Sequence, residues 1–456
     1  MTTTKQANAA IAREYRIPAN SPWKGKWKIA AGVGVVGLAI GAYGYKVDAT
    51  RFAYSYLFAF LVPLTLALGS LFFVVVLYIT KASWGVTVRR VAELFMRPMA
   101  VFAVLVIPLV LLIQQLFPWT SAQRLHAEAN KDVSGDHSAE NASPIAEERG
   151  FPSREPAAMR DVPVPSPKRL ARAEENAEAA IVEHKRFYLN RQFFLGRLIF
   201  YLLTWSWLAQ RYFQWSTEQD KTKAVENTLA AQRFAPVALI LFGFTLTFFA
   251  FDWILSLDTT WYSTIFGVYV FAQSALFQMA SLILMTLLLR RSGLLGNAVN
   301  VEHYHDLGKL LFGWIVFWSY IAFAQFFLTW YSNIPDEVAW FHKRWDDNEG
   351  TWKSISLAII ALHFFVPFWF LMSRNVKRRL PMLATGAACM VVMHVIDVYW
   401  IVMPNFGPFD PSLVDVGCLV GVVGIYLAAV LRGMEDHSLV ALGDPRLIRA
   451  LEFENA

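Results

Sequence analysis

Ten long apolar stretches divide this chain of 456 residues, and each is long enough to cross a lipid bilayer. The segment from Phe52 to Thr80 shows their scale, because it contains no charged residue. A helix that spans the hydrocarbon core needs about 20 mostly apolar residues. The chain is therefore predicted to be a bundle of helices in lipid, where a buried polar side chain is costly and needs a reason to be present.

The composition supports a membrane protein, since 56% of the residues are hydrophobic and 17% are charged, against about 25% charged in soluble domains. The net charge of +6 does not indicate nucleic-acid binding, because the basic residues lie in short loops between spans. Cys389 and Cys418 both fall inside predicted spans, so we expect no CxxCH haem attachment, no cysteine-ligated iron–sulfur cluster and no disulfide scaffold. Residues 1–27 are polar and show no cleavable secretory pattern.

The predicted fold class is an all-α polytopic membrane protein with ten transmembrane helices. These spans are predicted at residues 28–45, 52–79, 96–118, 192–212, 234–256, 262–290, 309–331, 354–373, 380–403 and 413–432. Spans one to three fall in 28–118 and spans four to ten in 192–432. The predicted soluble parts are an N-terminal tail, a long loop and a C-terminal tail, at residues 1–27, 119–191 and 433–456.

Basic residues predict the orientation. An even number of spans places both termini on one side of the membrane. Lys and Arg number 24 in the tails, loops and adjoining span ends on that side, and 5 in the short loops of the other side. The loop 119–191 is excluded from the count, because long translocated segments escape this rule. The bias predicts that both tails are cytoplasmic.

The loop from Thr120 to Arg191 is the main soluble feature of the sequence. It begins with a polar stretch, continues through a proline-rich stretch expected to be extended, and includes a good helix former from Ala171 to Lys185. Two interpretations stay open. The loop is either a linker with a helix on the membrane surface, or a docking arm for an extracytoplasmic partner.

The ninth span carries the clearest ionisable pair, His394 and Asp397. The two lie three residues apart, so they share one helix face well inside the hydrocarbon. They are expected to face the bundle interior and to partner each other or a neighbour. A histidine beside a carboxylate can accept and release protons near neutral pH. The alternative is a neutral histidine that hydrogen-bonds the aspartate and only holds helices together.

Other polar residues are predicted at membrane depth. His363 lies in the eighth span, and Asp252 lies near the outer end of the fifth, where it either guards a proton route or pairs with Arg197. Arg197 could also extend outward to the interface. Uncharged polar groups are added by Gln273, Gln278 and Gln325. Together these residues could support a chain of waters and side chains across the membrane, although amides alone commonly act in helix packing.

The segment from Tyr304 to Trp345 is the most distinctive in the chain. Asp306 and Lys309 are spaced to form an ion pair at the start of the seventh span. Tyr320 and Gln325 are predicted to be buried in its body. The alternative is an anchored helix with ordinary end charges. The turn beyond this span is predicted from Asn333, Pro335, Asp336 and Glu337.

Three segments resemble one known family. HDLGKLLF…FWSYIAFAQFFLTWYSNIPDE from His305 is the specific one, and VRRVAELFMRPMA from Val88 and KRFYLNRQFFLGR from Lys185 support it. The chain is similar to the NrfD-type (polysulfide-reductase membrane subunit) family, and within it to the second NrfD-like subunit, of ActF type, of bacterial alternative complex III. The resemblance extends from the second span to the tenth.

The resemblance implies a fold whose central eight helices form two four-helix bundles in a bacterial inner membrane. It implies assembly with a paralogous NrfD-type membrane subunit, a periplasmic iron–sulfur subunit and multihaem cytochromes c. In such a complex menaquinol is oxidised chiefly at the paralogous subunit. This chain is expected to have no redox cofactor and no metal of its own, since it has no Walker A sequence, no nucleotide-binding glycine pattern and no histidine pair spaced for a haem b clamp.

Three functions follow as hypotheses. In the first, the chain is a non-catalytic subunit that supports assembly and offers a proton-conducting half-channel. Its candidate residues are Asp252, His394 and Asp397, with His363, Tyr320 and Gln325 as secondary members. In the second, it holds another quinol site, with His394 and Asp397 as the base. In the third, it is a secondary transporter, which the absence of paired glycine and proline breaks in the spans disfavours.

Overall fold

The computed structural model describes residues 15–117, 119–120, 180–345 and 350–454. Within these ranges the chain forms helices and connecting turns, without a strand. The predicted all-α class is therefore confirmed for the described part of the chain. Residues 180–184 are helical, whereas 171–179 of the predicted loop helix, and the polar and proline-rich stretches before it, lie outside the described residues.

Ten helices of the described chain lie in or beside the predicted spans. In chain order they are α1 (Lys26–Val47), α2 (Ala49–Ile79), α3 (Val86–Met96), α4 (Arg191–Thr222), α5 (Val225–Trp253), α6 (Phe266–Arg291), α7 (Val301–Ser332), α8 (Thr351–Met372), α9 (Leu380–Val402) and α10 (Leu413–Asp436). Shorter helices lie at Arg97–Val101, Phe102–Leu105, Ile107–Leu111, Ile113–Leu116, Leu255–Leu257, Pro335–His342, Arg374–Arg378, Met403–Asn405 and Leu447–Leu451.

Nine of the described helices are long and apolar enough to cross a bilayer. α4 is not among them, because polar and charged residues fill its second half, which ends in STEQDKT. Multiple membrane-spanning helices are thus present, and the count of ten spans stays a prediction.

The third helix begins earlier than predicted. The sequence placed the span at 96–118, whereas regular helix starts at Val86 and breaks into short turns after Met96. Pro98 and Pro108 lie within this broken stretch, and neither has an N–H to donate to the preceding turn. As a result Arg89, Arg90 and Glu93 belong to a buried helix and not to a loop.

α2 lies at the centre of the molecule and is buried along most of its length. It contacts α1, α3, α5, α6, α9 and α10. α2 to α5 are neighbours in one group and α6 to α9 in a second, and α2 meets α6 where the groups join. The polar residues of α2 and α6 are therefore shielded from lipid by neighbouring helices.

Contacts between distant residues define the two ends of the bundle. At the end that we call the terminal end, the N–H of Leu439 donates to the carbonyl of Tyr15, and Trp23 donates to Ser292. At the opposite end, the loop end, Lys185 donates to the carbonyl of Thr259. The described parts of both chain termini thus lie at the same end.

The first and last spans meet along a seam of glycines. A Cβ added at Gly37 would lie 2.4 Å from the backbone nitrogen of Gly421, and one at Gly424 would lie 2.6 Å from the Cα of Gly34. Only residues without a side chain allow two helix backbones to approach this closely. The opposite face of α1 exposes large apolar residues such as Ile29 and Tyr43.

A buried ion network closes the terminal end. Glu93 accepts from Arg89 Nε and from Arg90 Nε, each at 2.8 Å. Arg89 also pairs with Asp444 at 2.6 Å, and Arg90 with Asp220 at 2.7 Å. The network joins α3 to α4 and to the C-terminal segment, because its carboxylates come from all three.

Candidate functional site

Asp397 is the central ionisable group of the candidate site. It lies on α9 and is 0% exposed. Its carboxylate accepts a hydrogen bond of 2.6 Å from the hydroxyl of Tyr269 and one of 2.8 Å from the amide of Gln273, both on α6. No Lys, Arg or His of the described chain lies within 4.0 Å of this carboxylate. It is therefore held by neutral donors.

His394 lies one turn before Asp397 on the same helix and has different partners. Its Nε2 is 2.9 Å from the hydroxyl of Thr65 on α2, and its ring lies flat against Phe277 with centroids 3.9 Å apart. Nδ1 is buried without a hydrogen-bond partner among the described residues. The prediction that the pair faces the interior is confirmed, and each member bonds a neighbouring helix rather than the other.

His363 is buried in a π-helical turn, Ile360–Phe365, within α8. Pro367 explains the turn, since it has no N–H to donate to the carbonyl of His363 four residues earlier. The imidazole lies 3.9 Å from the ring of Trp318, centroid to centroid, and neither ring nitrogen has a partner among the described residues. Trp318 also contacts Tyr269, with centroids 5.8 Å apart, which brings His363 to the edge of the Asp397 site.

The two secondary candidates of α7 differ. Gln325 is buried as predicted, and its carbonyl oxygen accepts from Ser263 at 3.2 Å. The prediction that Tyr320 is buried is wrong, because its side chain is 66% exposed. The inward face of α7 could not be predicted, because apolar residues lie on all sides of this helix. Tyr320 is therefore not part of a buried route.

Asp252 belongs to an ion pair at the loop end. Arg197 donates to it through Nε at 2.8 Å and Nη2 at 2.9 Å, and the hydroxyl of Tyr201 donates at 2.7 Å. Arg197 also lies over the ring of Tyr188 at 3.9 Å. Of the two predicted interpretations, the pair with Arg197 is confirmed. Three donors therefore hold this carboxylate in place, and two of them come from a cation.

Two further pairs lie outside the membrane-spanning segments or at their mouths. Lys309 and Asp306 form the predicted ion pair at 2.6 Å. Lys343 lies 2.6 Å from Asp258. Burial disfavours the ionised Asp258, but the Lys343 ammonium outweighs it and holds the pKa of that carboxyl below its usual value. The turn after α7 has Asn333 in a left-handed conformation and continues as the helix Pro335–His342.

Sequence reasoning missed several residues that shape the site. Tyr269 and Thr65 looked like ordinary residues of apolar helices, and Arg344 looked like a loop cation. No pattern in the sequence assigned them, because their partners lie far along the chain. Gln278 was recognised as polar, and it is fully buried with both amide atoms unpartnered among the described residues.

The structure brings only part of the predicted set together. Asp397, His394 and His363 lie within one buried region, whereas Asp252 and Gln325 lie toward the loop end in separate contacts. Among the described residues, no group of three or more His, Cys, Asp and Glu side chains is arranged to hold a metal ion. A groove of about 320 Å³ at the loop end is lined by Lys185, Tyr188, Phe251 and Tyr262 among others, and not by His394 or Asp397.

Comparison with models of known protein families found no match for this chain, and comparison with curated proteins found none either.

Proposed function

We propose that this chain is the integral membrane subunit of a bacterial quinol:electron-acceptor oxidoreductase of the alternative complex III type. It supports assembly of the complex and carries protons along a half-channel through Asp397. Redox chemistry belongs to partner subunits that hold iron–sulfur clusters and haem c, and menaquinol is the reductant. Both tails face the cytoplasm in this proposal. Its basis is the similarity of the segment Tyr304 to Trp345 and the buried site around Asp397.

The observation that carries the proton function is the environment of Asp397. Its carboxylate is enclosed by protein and accepts from two neutral donors, Tyr269 and Gln273. A carboxylate that is not bound to a cation can gain and lose a proton with little rearrangement, whereas an ion-paired one cannot. His394 and His363 lie nearby with nitrogens that have no partner in the described part of the chain. Buried waters commonly satisfy such atoms and can relay protons between them.

The test is proton movement by the complete complex in liposomes. Asp397→Asn keeps the size of the side chain and one acceptor oxygen, but it cannot ionise. With quinol and an artificial electron acceptor, we expect the variant to assemble and to lose most proton translocation per electron. Asp397→Glu should retain part of it. Asp252→Asn is the matched control, because that carboxylate is fixed by Arg197, and it should translocate normally per assembled complex. Normal translocation by Asp397→Asn would refute the proposal.

A further inference from the structure

A column of aromatic rings fills the space between Asp397 and the loop end. Tyr269, the donor to Asp397, lies parallel to Phe266 with centroids 5.9 Å apart and planes at 5°. Phe266 meets the edge of Trp261 at 5.8 Å, and Trp261 stacks on Trp340 at 4.4 Å and 13°. All of these side chains are buried. The column leaves Asp397 covered on its loop-end side by stacked apolar surface.

Arg344 forms the top of this column. Its guanidinium carbon lies 3.4 Å from the centroid of the Trp340 ring, and the side chain is 1% exposed. Nη1 donates to the carbonyl of Trp340 at 2.8 Å, Nη2 to that of Ile401 at 2.8 Å, and Nε to that of Trp400 at 3.2 Å. The last two carbonyls end α9, one turn beyond Asp397. Arg344 therefore ties the column to the helix that carries the site.

The charge on this guanidinium is not cancelled by a described neighbour. Within the described ranges its bonded partners are carbonyl oxygens, and the nearby Asp258 pairs with Lys343. Burial lowers the pKa of Arg344 to about 9, opposed by the charge of Asp258. The group thus stays protonated at neutral pH, and a buried positive charge repels cations and hydronium.

Polar atoms without partners lie on the other side of Asp397. Along α6 toward the terminal end, Gln278 is buried with both amide atoms unpartnered among the described residues, and the same holds for the hydroxyl of Tyr304 on α7. Thr286 lies between their levels on α6, fully buried. Ordered water commonly satisfies buried polar atoms of this kind, whereas apolar surroundings stay dry.

We infer that Arg344 and the aromatic column form an electrostatic seal that closes the loop end above Asp397, so that the route to Asp397 opens only toward the terminal end. The inference rests on the proposed function for the role of Asp397 and adds the direction of access and the residue that enforces it. Arg344 acts through position and charge and not as a proton carrier.

The experiment measures passive proton entry into liposomes that contain the complete complex, without quinol. A potassium diffusion potential drives protons inward, and a pH-sensitive dye inside reports them. Arg344→Gln removes the charge and should raise proton entry by about tenfold over the unmodified complex. Arg344→Lys keeps the charge but not the three carbonyl bonds, so its leak should be several times smaller than that of Arg344→Gln.

The double variant Arg344→Gln with Asp397→Asn tests the route. If the leak passes through Asp397, the second substitution should return proton entry close to the unmodified rate. The inference is overturned if proton entry in Arg344→Gln equals that of the unmodified complex. It is also overturned if the double variant leaks as much as the single one. Should Arg344→Gln fail to assemble, Trp340→Leu removes the ring beneath the guanidinium while its carbonyl partner remains, and should leak as well. A tight Trp340→Leu complex would then overturn the seal.

Failure of the seal and failure of the proposed function give different results. Passive leak needs no electron transfer, so it is measured independently of translocation. A complex that leaks in Arg344→Gln but translocates normally in Asp397→Asn keeps the seal and loses the proposed function. A complex that does not leak in Arg344→Gln but loses translocation in Asp397→Asn keeps the proposed function and loses only the seal.

Discussion

Two regions of this molecule bury charged groups, and they do so in opposite ways. At the terminal end Glu93 lies between Arg89 and Arg90, which also hold Asp444 and Asp220. Near the C-terminal end of α9, Asp397 is held by a hydroxyl and an amide instead. Charges that neutralise each other fix a structure, because changing the protonation of one leaves another uncompensated. A carboxylate with neutral donors stays free to exchange a proton.

The largest effect is expected from Glu93→Gln. The substitution leaves two buried guanidiniums without their shared carboxylate, which costs about 3–5 kcal/mol of unfolding free energy. Asp397→Asn should cost less than about 1.5 kcal/mol, since an amide oxygen can still accept from Tyr269. Unfolding of the purified complex in mixed micelles with increasing SDS measures both. Equal losses for the two variants would erase the distinction between a structural and an exchangeable carboxylate.

A smaller loss of unfolding free energy is expected from Asp252→Asn. It breaks an ion pair whose carboxylate is fully buried but whose guanidinium is partly exposed. Arg197 keeps its bond to the carbonyl of Tyr188 and its contact with that ring, so the cost should be about 2 kcal/mol. The same SDS titration gives the value. A loss as large as that of Glu93→Gln would mean that the number of cations sharing a carboxylate does not set the cost.

The pair of Asp258 and Lys343 should contribute about 1 kcal/mol or less, because the lysine side chain is 47% exposed. The pKa of Asp258 is lowered in the folded state. Its contribution is therefore present above the unfolded pKa of 3.8 and disappears as the pH falls through the lower folded pKa. We expect the stability difference between the native chain and Asp258→Asn to be constant from pH 7 to about pH 5 and to shrink below pH 4. A difference that grew on acidification would contradict the assigned pair.

The smallest effect is expected from Tyr320→Phe. The hydroxyl lies on an exposed side chain, so stability should change by less than about 0.5 kcal/mol. Proton translocation by the complex should be unchanged, because the residue is outside the buried region around Asp397. A clear loss of translocation would place Tyr320 on a route that this fold does not contain, and would extend the exchangeable region to the outer face of α7.

The depth of His394 and Asp397 could be predicted because ionisable residues stand out in a long apolar run. Their partners could not, since Thr65, Tyr269 and Gln273 belong to helices distant in sequence. Which face of α7 points into the bundle could not be predicted either, because apolar residues surround Tyr320 and Gln325 alike. The terminal network was missed for another reason. Three charges at residues 89–93 are typical of a loop. The helix there is buried because Asp220 and Asp444 compensate the charges of the two arginines.

The glycine seam between α1 and α10 has a consequence for biosynthesis. Gly37 and Gly421 belong to the first and last long helices of the described chain, so the ribosome must make all the helices between them before the two can touch. Until then the glycine face of α1 has no partner helix. Contact between α1 and α10 along the glycine seam is therefore a late event. A chain that ended before α10 would leave α1 without this contact.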